Sequence, residues 1–373
     1  MKIRVHFFDV RHGDAIVIEY LTENTSHWVV IDSNYVKRNN QIISPTYEFL
    51  KKRKVEKIDA VIITHLHSDH YSGLEEILIN FDIEKVYIPP FLSTKPALFN
   101  KQIKAIRKKI EELINRSDDE LLGKRAYSLA YIIKYLSENE PKVCEITGPE
   151  NIFRLPFCKD PLGVVLLPLP KIKGKLIQMI ESENFELDSF DSMNDASIVL
   201  SLKMGKNNII FGADSTQLQW QDHQRQLIRS GVTCLDSTML KAPHHGSKHN
   251  NTTKIYDYVL APTEGNCLFV SAEGKKHPHN EIFDLINKYK MKPYCTGLAK
   301  NCLASNVTSI AGLSKVPKAF RGFISSYEIE DLPMPCQGDI TIEVEGPITN
   351  IYNSTGNTCI YRPDSPAQIK KLM

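Results

Sequence analysis

The sequence predicts an α/β fold, two stacked sheets between outer layers of helices. Three observations lead there. Short strand-like runs crowd the first ninety residues: Ile3–Phe8, Ala15–Tyr20, Trp28–Ile31, Ala60–Ile63 and Lys85–Ile88. After Asn208 strands alternate with helical patterns. Both halves share this mixed texture, which suits a layered sandwich.

Ile3–Phe8 and Ala15–Tyr20 alternate or run apolar as strands do, and His12-Gly13-Asp14 supplies the turn between them. Ala60–Ile63 is continuously apolar, as expected of a strand buried on both faces. Lys85–Ile88 is closed by Pro89-Pro90. From 94 to 142 the composition shifts to Lys, Glu, Ile and Leu. Ile103, Ile106, Ile110, Leu113 and Ile114 fall at helical spacing, predicting a helical insertion whose N-terminal half is basic (Lys101, Lys104, Arg107, Lys108, Lys109). Strands return at Gly163–Leu167, Ser197–Leu202 and Asn208–Phe211, the first two separated by a polar, mixed stretch, Lys171–Asn194. A helix over Gln217–Arg229, strand Met239–Lys241, helix Thr252–Tyr258, strand Leu268–Val270 and helix Asn280–Tyr289 follow. Residues 296–335 carry Ser, Gly and Pro with weak periodicity and read as an irregular insertion. Strands Asp339–Val344 and Thr358–Tyr361 come last. The expectation is one domain over residues 1–373, with both insertions inside it.

Composition narrows the function. At 373 residues, 42% hydrophobic, 24% charged and net +2, the chain has no whole-protein field to draw it to nucleic acid or membrane. Any such binding needs a local basic surface. Arg4, His6 and Asp9 interrupt the apolar run that a signal peptide requires, and no stretch approaches the roughly 18 apolar residues of a membrane span. A cytoplasmic protein is expected. The eight cysteines form no CxxC pair, which argues against disulfides and a thiolate metal site.

The segment Thr64-His65-Leu66-His67-Ser68-Asp69-His70 carries the chemistry. A buried strand runs into three His and one Asp, all good ligands for zinc-like divalent ions. His65 and His67, two apart, face one way on an extended strand end. Asp69 and His70 follow the turn and can face a second ion. Asp214, at the tip of strand Ile209–Phe211, has two oxygens with which to bridge ions. Leu240–Ser247 is another strand ending in histidine, the pair His244-His245.

HxHxDH, the strand-end Asp214 and the later His244 or His245 resemble the metallo-β-lactamase superfamily. FFDVRHGDAIVI, VVIDSN, NDASIVL, LKAPHHGSK, His277-Pro278-His279 and Gly338-Asp339-Ile340 narrow the resemblance to the soluble C-terminal domain of ComEC-type DNA-uptake proteins and their free-standing relatives. It covers roughly residues 3–92, 143–296 and 336–361. Arg11-His12 departs from the Gly-Gln of that opening turn, and Asn280 from the second Pro of the GHPHP motif.

The resemblance implies an αββα sandwich and two divalent ions, manganese favoured and zinc possible. It implies His65 and His67 on the first ion, Asp69 and His70 on the second, and Asp214 between them. His244 is favoured to complete the second site, with His245 meeting a substrate phosphate. Asn194-Asp195 stands where the superfamily usually places another His, and an oxygen donor there shifts preference from zinc toward manganese or magnesium. Asp32 is expected to orient a ligating His. Asp69, Asp214 and His277 are the candidate catalytic residues. Arg11, His245, Ser247, Lys248 and His279 are candidates for substrate binding, and Lys241, Lys248, Lys275 and Lys276 for a basic rim. Two ions about 3.5–4 Å apart suit hydrolysis of a phosphodiester. The leading expectation is a nuclease or phosphodiesterase on DNA or RNA. The alternatives are a small-molecule phosphodiesterase or other ester hydrolase, and a metal-containing subunit of a defence or toxin assembly, docked through the insertions. No membrane association is expected.

Overall fold

The computed structural model describes residues 2–23, 25–90, 104, 107, 108, 110, 111, 120–148, 152–153, 163–181, 191–273, 276–297 and 337–355. Most of 94–119 in the predicted helical insertion, residues 298–335 of the predicted irregular one, Lys275 and the predicted strand Thr358–Tyr361 lie outside them.

Seventeen strands are described. The first sheet runs, edge to edge, β17 (Ile348–Asn353), β16 (Ile340–Glu345), β1 (Lys2–Phe7), β2 (Ile16–Leu21), β3 (Ser26–Ile31), β6 (Lys57–Ile62), β7 (Asp82–Ile88) and β8 (Val143–Glu145). The second runs β15 (Lys292–Cys295), β14 (Cys267–Val270), β13 (Met239–Lys241), β12 (Asn207–Phe211), β11 (Val199–Met204), β10 (Gly163–Leu167) and β9 (Ile152–Phe153). A small hairpin, β4 (Val36–Arg38) and β5 (Gln41–Ile43), stands apart. In each sheet an antiparallel half meets a parallel half. β3, β6, β7 and β8 run parallel in the first, and β12, β13, β14 and β15 in the second.

Alternation along the strands makes the sandwich. Ile3, Val5, Phe7, Ile16, Ile18, Val29, Ile31 and Ile62 of the first sheet meet Leu200, Leu202, Ile209, Phe211 and Phe269 of the second. The Phe7 and Phe269 rings stack across the layer with centroids 4.9 Å apart. The opposite faces are buried too. Val17, Val30, Ile58 and Val61 pack under Leu50, Leu74, Ile77, Leu129 and Ile132 of helices. Ile210, Leu240 and Leu268 pack under Trp220, Ile255 and Ile282. Four layers result, helix–sheet–sheet–helix, as the fold class predicted.

Three helices went unread in the sequence. Pro45–Lys52 opens on Ser44, whose side chain accepts from Tyr47 N, with Pro45 at the first helical position. Leu74–Asn80 follows Gly73, whose φ of 83° starts it sharply. Lys171–Glu181 is also helical, although its sequence reads as a mixed stretch. The helix Glu120–Glu138 lies within the predicted insertion. No helix among the described residues is long and apolar enough to cross a membrane.

Candidate metal centre

The candidate ligands gather where parallel strands end, the usual place for a site in such sheets. Ile63 and Thr64 carry the chain from β6 to His65 and His67, and the short helix Ser68–Tyr71 carries Asp69 and His70. Next to β6, β3 ends at Asp32, which is buried and left-handed at φ 56°. Its carboxylate accepts from Thr64 N (2.8 Å), Thr64 Oγ1 (2.5 Å) and His70 Nδ1 (2.7 Å). Asp32 therefore orients His70, as expected. On the second sheet β12 delivers Asp214 after Gly212, where a side chain would strike the Lys241 carbonyl at 2.7 Å. β13 delivers His244 and His245.

Asp214 divides the centre. Its Oδ2 lies 3.8 Å from His65 Nε2 and 3.6 Å from His244 Nε2. Its Oδ1 lies 3.3 Å from His70 Nε2 and 3.4 Å from His245 Nε2. Asp69 Oδ2 closes the second group at 3.3 Å from His245 Nε2 and 3.7 Å from His70 Nε2. Edges of this length are what four donors about 2.1 Å from one ion require. His70 Nε2, His245 Nε2 and Asp214 Oδ1 are buried with no hydrogen-bond partner, a cost that a cation between them would remove. His65, His67 and Asp214 form the other group, their donor atoms within 4.8 Å of one another. The donor set fits two divalent ions.

Protonation agrees. Burial holds His65 well below its ordinary value and lowers His67 to about 4, so both offer lone pairs at neutral pH. Burial alone would raise Asp214, but the charge of His245 and His70 holds its carboxyl well below the usual carboxylate range.

Several sequence assignments change. His245 takes the inner place expected of His244: it is fully buried, whereas the His244 side chain is 28% exposed. Both residues are left-handed, at φ 47° and 52°, so consecutive side chains face one centre. Such conformations cost on the order of 1–3 kcal/mol each and mark functional sites. His245 is thus removed from the substrate surface. Asp195 is not placed as a ligand, because its oxygens are taken by Lys175 Nζ (2.7 Å) and Thr216 Oγ1 (2.6 Å). Asn194 is buried with Oδ1 unpaired, at the end of the short helix Asp191–Asn194, and the chain after it is tied to the HxHxDH segment by Ile198 N to Thr64 O (3.0 Å). Arg11 turns back onto Asp9 (2.9 Å), away from a phosphate. Lys241 is no rim residue: it is 1% exposed and its Nζ lies 2.6 Å from Asp14 Oδ1. Ser247 is buried and braces its loop, its backbone N donating to His244 O (2.8 Å).

Other assignments find a place at the mouth. The His277 ring lies 5.5 Å from that of His244 and 4.8 Å from that of His279. Lys248 N meets His279 Nδ1 at 3.4 Å, and Lys248 Nζ sits 3.4 Å from Glu281. Burial, with His245 and His244 alongside, pushes His277 down to about 4, leaving it uncharged at neutral pH. Sequence reasoning gave no role to Asp14, Ser271 or Glu273. Ser271 Oγ donates to Asp14 Oδ1 (2.8 Å), and Glu273 Oε2 lies 3.0 Å from His12 Nδ1. The strand end before Ser271 and the Gly before Asp14 were the available signals.

A family model described as "Metallo-beta-lactamase superfamily" matches residues 8–131, which include the whole HxHxDH segment. The chain has the metallo-β-lactamase fold. Solved structures similar to this metallo-β-lactamase-fold chain include a new diphosphatase from the PhnP family: 12% identity, 76% of this chain, 92% of that one, TM-score 0.35. The CmlA β-hydroxylase, as a mutant, gives 13%, 77%, 50% and 0.39 in the same order. The hydrolase AbOPH gives 14%, 54%, 56% and 0.29, so this chain spans little more than half of that structure's length. At these identities and scores the likenesses say nothing of this chain's substrate. No curated protein matches. The superfamily match and the gathered His and Asp donors support a metal-dependent hydrolase.

Proposed function

We propose that the chain is a two-ion phosphodiesterase, with DNA or RNA as the leading substrate and manganese as the favoured ion. The observation that carries this reading is the division of Asp214, with one oxygen toward each group of imidazoles. His65, His67, His244 and Asp214, with Asn194 proposed as a further oxygen donor, would hold the first ion. Asp69, His70, His245 and Asp214 would hold the second. Bound there, two divalent cations would neutralise a phosphoryl oxygen and lower the pKa of a water.

The chain's own groups do the rest. Asp214 and Asp69 keep their negative charge in the buried floor, Asp32 fixes the His70 ring from behind by a hydrogen bond, and Asp14 lies 3.5 Å behind His245. At the mouth His277 presents an uncharged imidazole to an incoming phosphate. Asn250 Oδ1, 3.2 Å from His244 Nδ1, sets that ring so that Nε2 faces inward. His279 and Lys248 extend the polar rim toward the next phosphate of a longer substrate. The narrower ComEC-type resemblance of the motifs around Asn194 and His244 supports phosphodiesters over lactams.

The test is incubation of metal-loaded protein with single-stranded DNA, RNA, plasmid, bis(p-nitrophenyl) phosphate, a lactone and a β-lactam, with and without EDTA. The reading expects chelator-sensitive cleavage of phosphodiesters. Turnover of the lactone or lactam with no phosphodiester cleaved overturns it.

A further inference from the structure

We propose that His12 is a third imidazole ligand of the second ion, oriented by Glu273, and that the second site is for this reason the tighter of the two. The inference rests on the two-ion reading above and concerns a residue that the HxHxDH pattern does not contain.

Three imidazoles around Asp69 share one construction. A carboxylate stands behind each Nδ1: Asp32 at 2.7 Å from His70, Glu273 at 3.0 Å from His12 and Asp14 at 3.5 Å from His245. Each Nε2 then points at the same oxygen, Asp69 Oδ2, from 3.7 Å for His70, 3.0 Å for His12 and 3.3 Å for His245. A carboxylate behind Nδ1 keeps the proton there and leaves the Nε2 lone pair for a cation. His70 is built for that task by its hydrogen bond to Asp32, and His12 and His245 stand between carboxylates in the same order, at ion-pair distance. His12, Asp69 and His245 also place their donor atoms within 4.8 Å of one another.

The local backbone holds His12 in this position. Arg11 and Gly13 on either side are left-handed, at φ 63° and 105°. A Cβ on Gly13 would lie 1.9 Å from the Asp69 carbonyl oxygen, so only glycine lets the turn come so close. Asp14 N donates to that oxygen (3.3 Å), and Asn34 Nδ2 donates to His12 O (2.6 Å). Glu273 is fixed in turn: its Oε1 accepts from Lys276 N (2.9 Å) and His277 N (3.1 Å), leaving Oε2 for His12.

The first site lacks this reinforcement. His65 Nδ1 faces the Thr64 hydroxyl at 3.1 Å, a weaker partner than a carboxylate. Its donors are His65, His67 and Asp214, with His244 Nε2 3.6 Å from the same Asp214 oxygen and only an amide oxygen, that of Asn250, behind His244 Nδ1. The second site has His12, His70, His245, Asp69 and Asp214. Imidazoles made more basic by carboxylates, together with a second carboxylate in the donor set, hold a divalent ion more strongly.

Metal-stripped wild type, His12→Gln and Glu273→Gln are titrated with Co2+ and Zn2+ against a chromophoric chelator. X-ray absorption of the one-equivalent cobalt form counts imidazoles. We expect two dissociation constants for wild type. His12→Gln should weaken the tighter one at least about tenfold and leave the other unchanged, and Glu273→Gln, which keeps His12, should weaken it by up to about tenfold. The imidazole count at one equivalent should fall from three to two in His12→Gln. An unmoved tighter constant, an unchanged count, or a loss confined to the weaker ion overturns the proposal. The readout is binding, so absent phosphodiester turnover would sink the functional reading and leave this inference standing.

Discussion

Lys241 Nζ lies 2.6 Å from Asp14 Oδ1, with both side chains almost wholly buried. Asp14 also accepts from Ser271 Oγ and stands behind His245, so this ion pair ties the two sheets together beneath the second metal group. The Lys241 and His245 charges outweigh burial and hold the Asp14 carboxyl far below the usual carboxylate range. Removing one partner strands the other's charge away from water. Lys241→Met should therefore destabilise the fold by about 3–5 kcal/mol. Adding Asp14→Leu should restore part of that, because no charge is left unpaired. Urea denaturation of the three proteins measures it. A single variant as stable as wild type would show that water reaches the pair.

His223 gives a prediction about acid stability that is independent of the metal centre. It is buried on the helix Gln217–Ile228, with Nδ1 2.8 Å from the Tyr258 hydroxyl and Nε2 buried without a hydrogen-bond partner. Burial pushes its pKa down from 6.5 to about 4. The unfolded chain therefore takes up a proton before the folded one does. Stability is full above about pH 6.5 and lost as the pH falls toward 4, by on the order of 2–3 kcal/mol. His223→Gln removes this proton uptake. The difference in stability between wild type and variant should shrink or reverse between pH 7 and 4.5. A difference that stays constant over that range would contradict the assignment.

Manganese should support faster turnover than zinc. With Asp195 engaged by Lys175 and Thr216, the donor left from that pair is the unpaired Oδ1 of Asn194, and the proposal is that this oxygen joins the first site. Zinc can bind more tightly and still turn over more slowly. Metal-stripped protein reconstituted with each ion and assayed on single-stranded DNA decides the matter. Asn194→His should narrow the gap. Equal rates with the two ions in wild type would mean that the first site is not oxygen-rich.

Much of the centre was legible because its ligands lie at strand ends within one short motif. The strand before His65 and the strand before Asp214 both announce themselves by apolar runs, and the structure puts those residues together. The choice between His244 and His245 was not legible. Adjacent residues on an extended chain face opposite ways, and only the left-handed backbone at both positions turns both rings inward. The fate of Asp195 was hidden because Lys175 and Thr216 reach it from a helix and a cap distant in sequence. Lys241 read as rim because lysine is rarely buried; its partner, Asp14, comes from the opposite sheet. Glu273 carried no pattern of its own, and its meaning comes from lying beside His12. The fold shows the same division. Alternating strands and capped helices after Asn208 were readable, whereas Lys171–Glu181, whose core contact includes the buried Leu176, looked merely polar.

The central claim is that Asp214 joins two ions that cleave a phosphodiester. Its most direct test follows ion content and hydrolysis of bis(p-nitrophenyl) phosphate together as manganese is added back, in wild type and in Asp214→Asn. Asp214 sits at a strand tip, so the isosteric amide leaves the core intact, which the melting temperature of the metal-free protein checks. Wild type should bind two ions, with turnover rising on the second equivalent. Asp214→Asn should bind at most one ion, with a loss of rate beyond the roughly 100-fold that removal of an outer-shell partner costs. Near-wild-type turnover by Asp214→Asn, or two bound ions without hydrolysis of any phosphodiester, would contradict it.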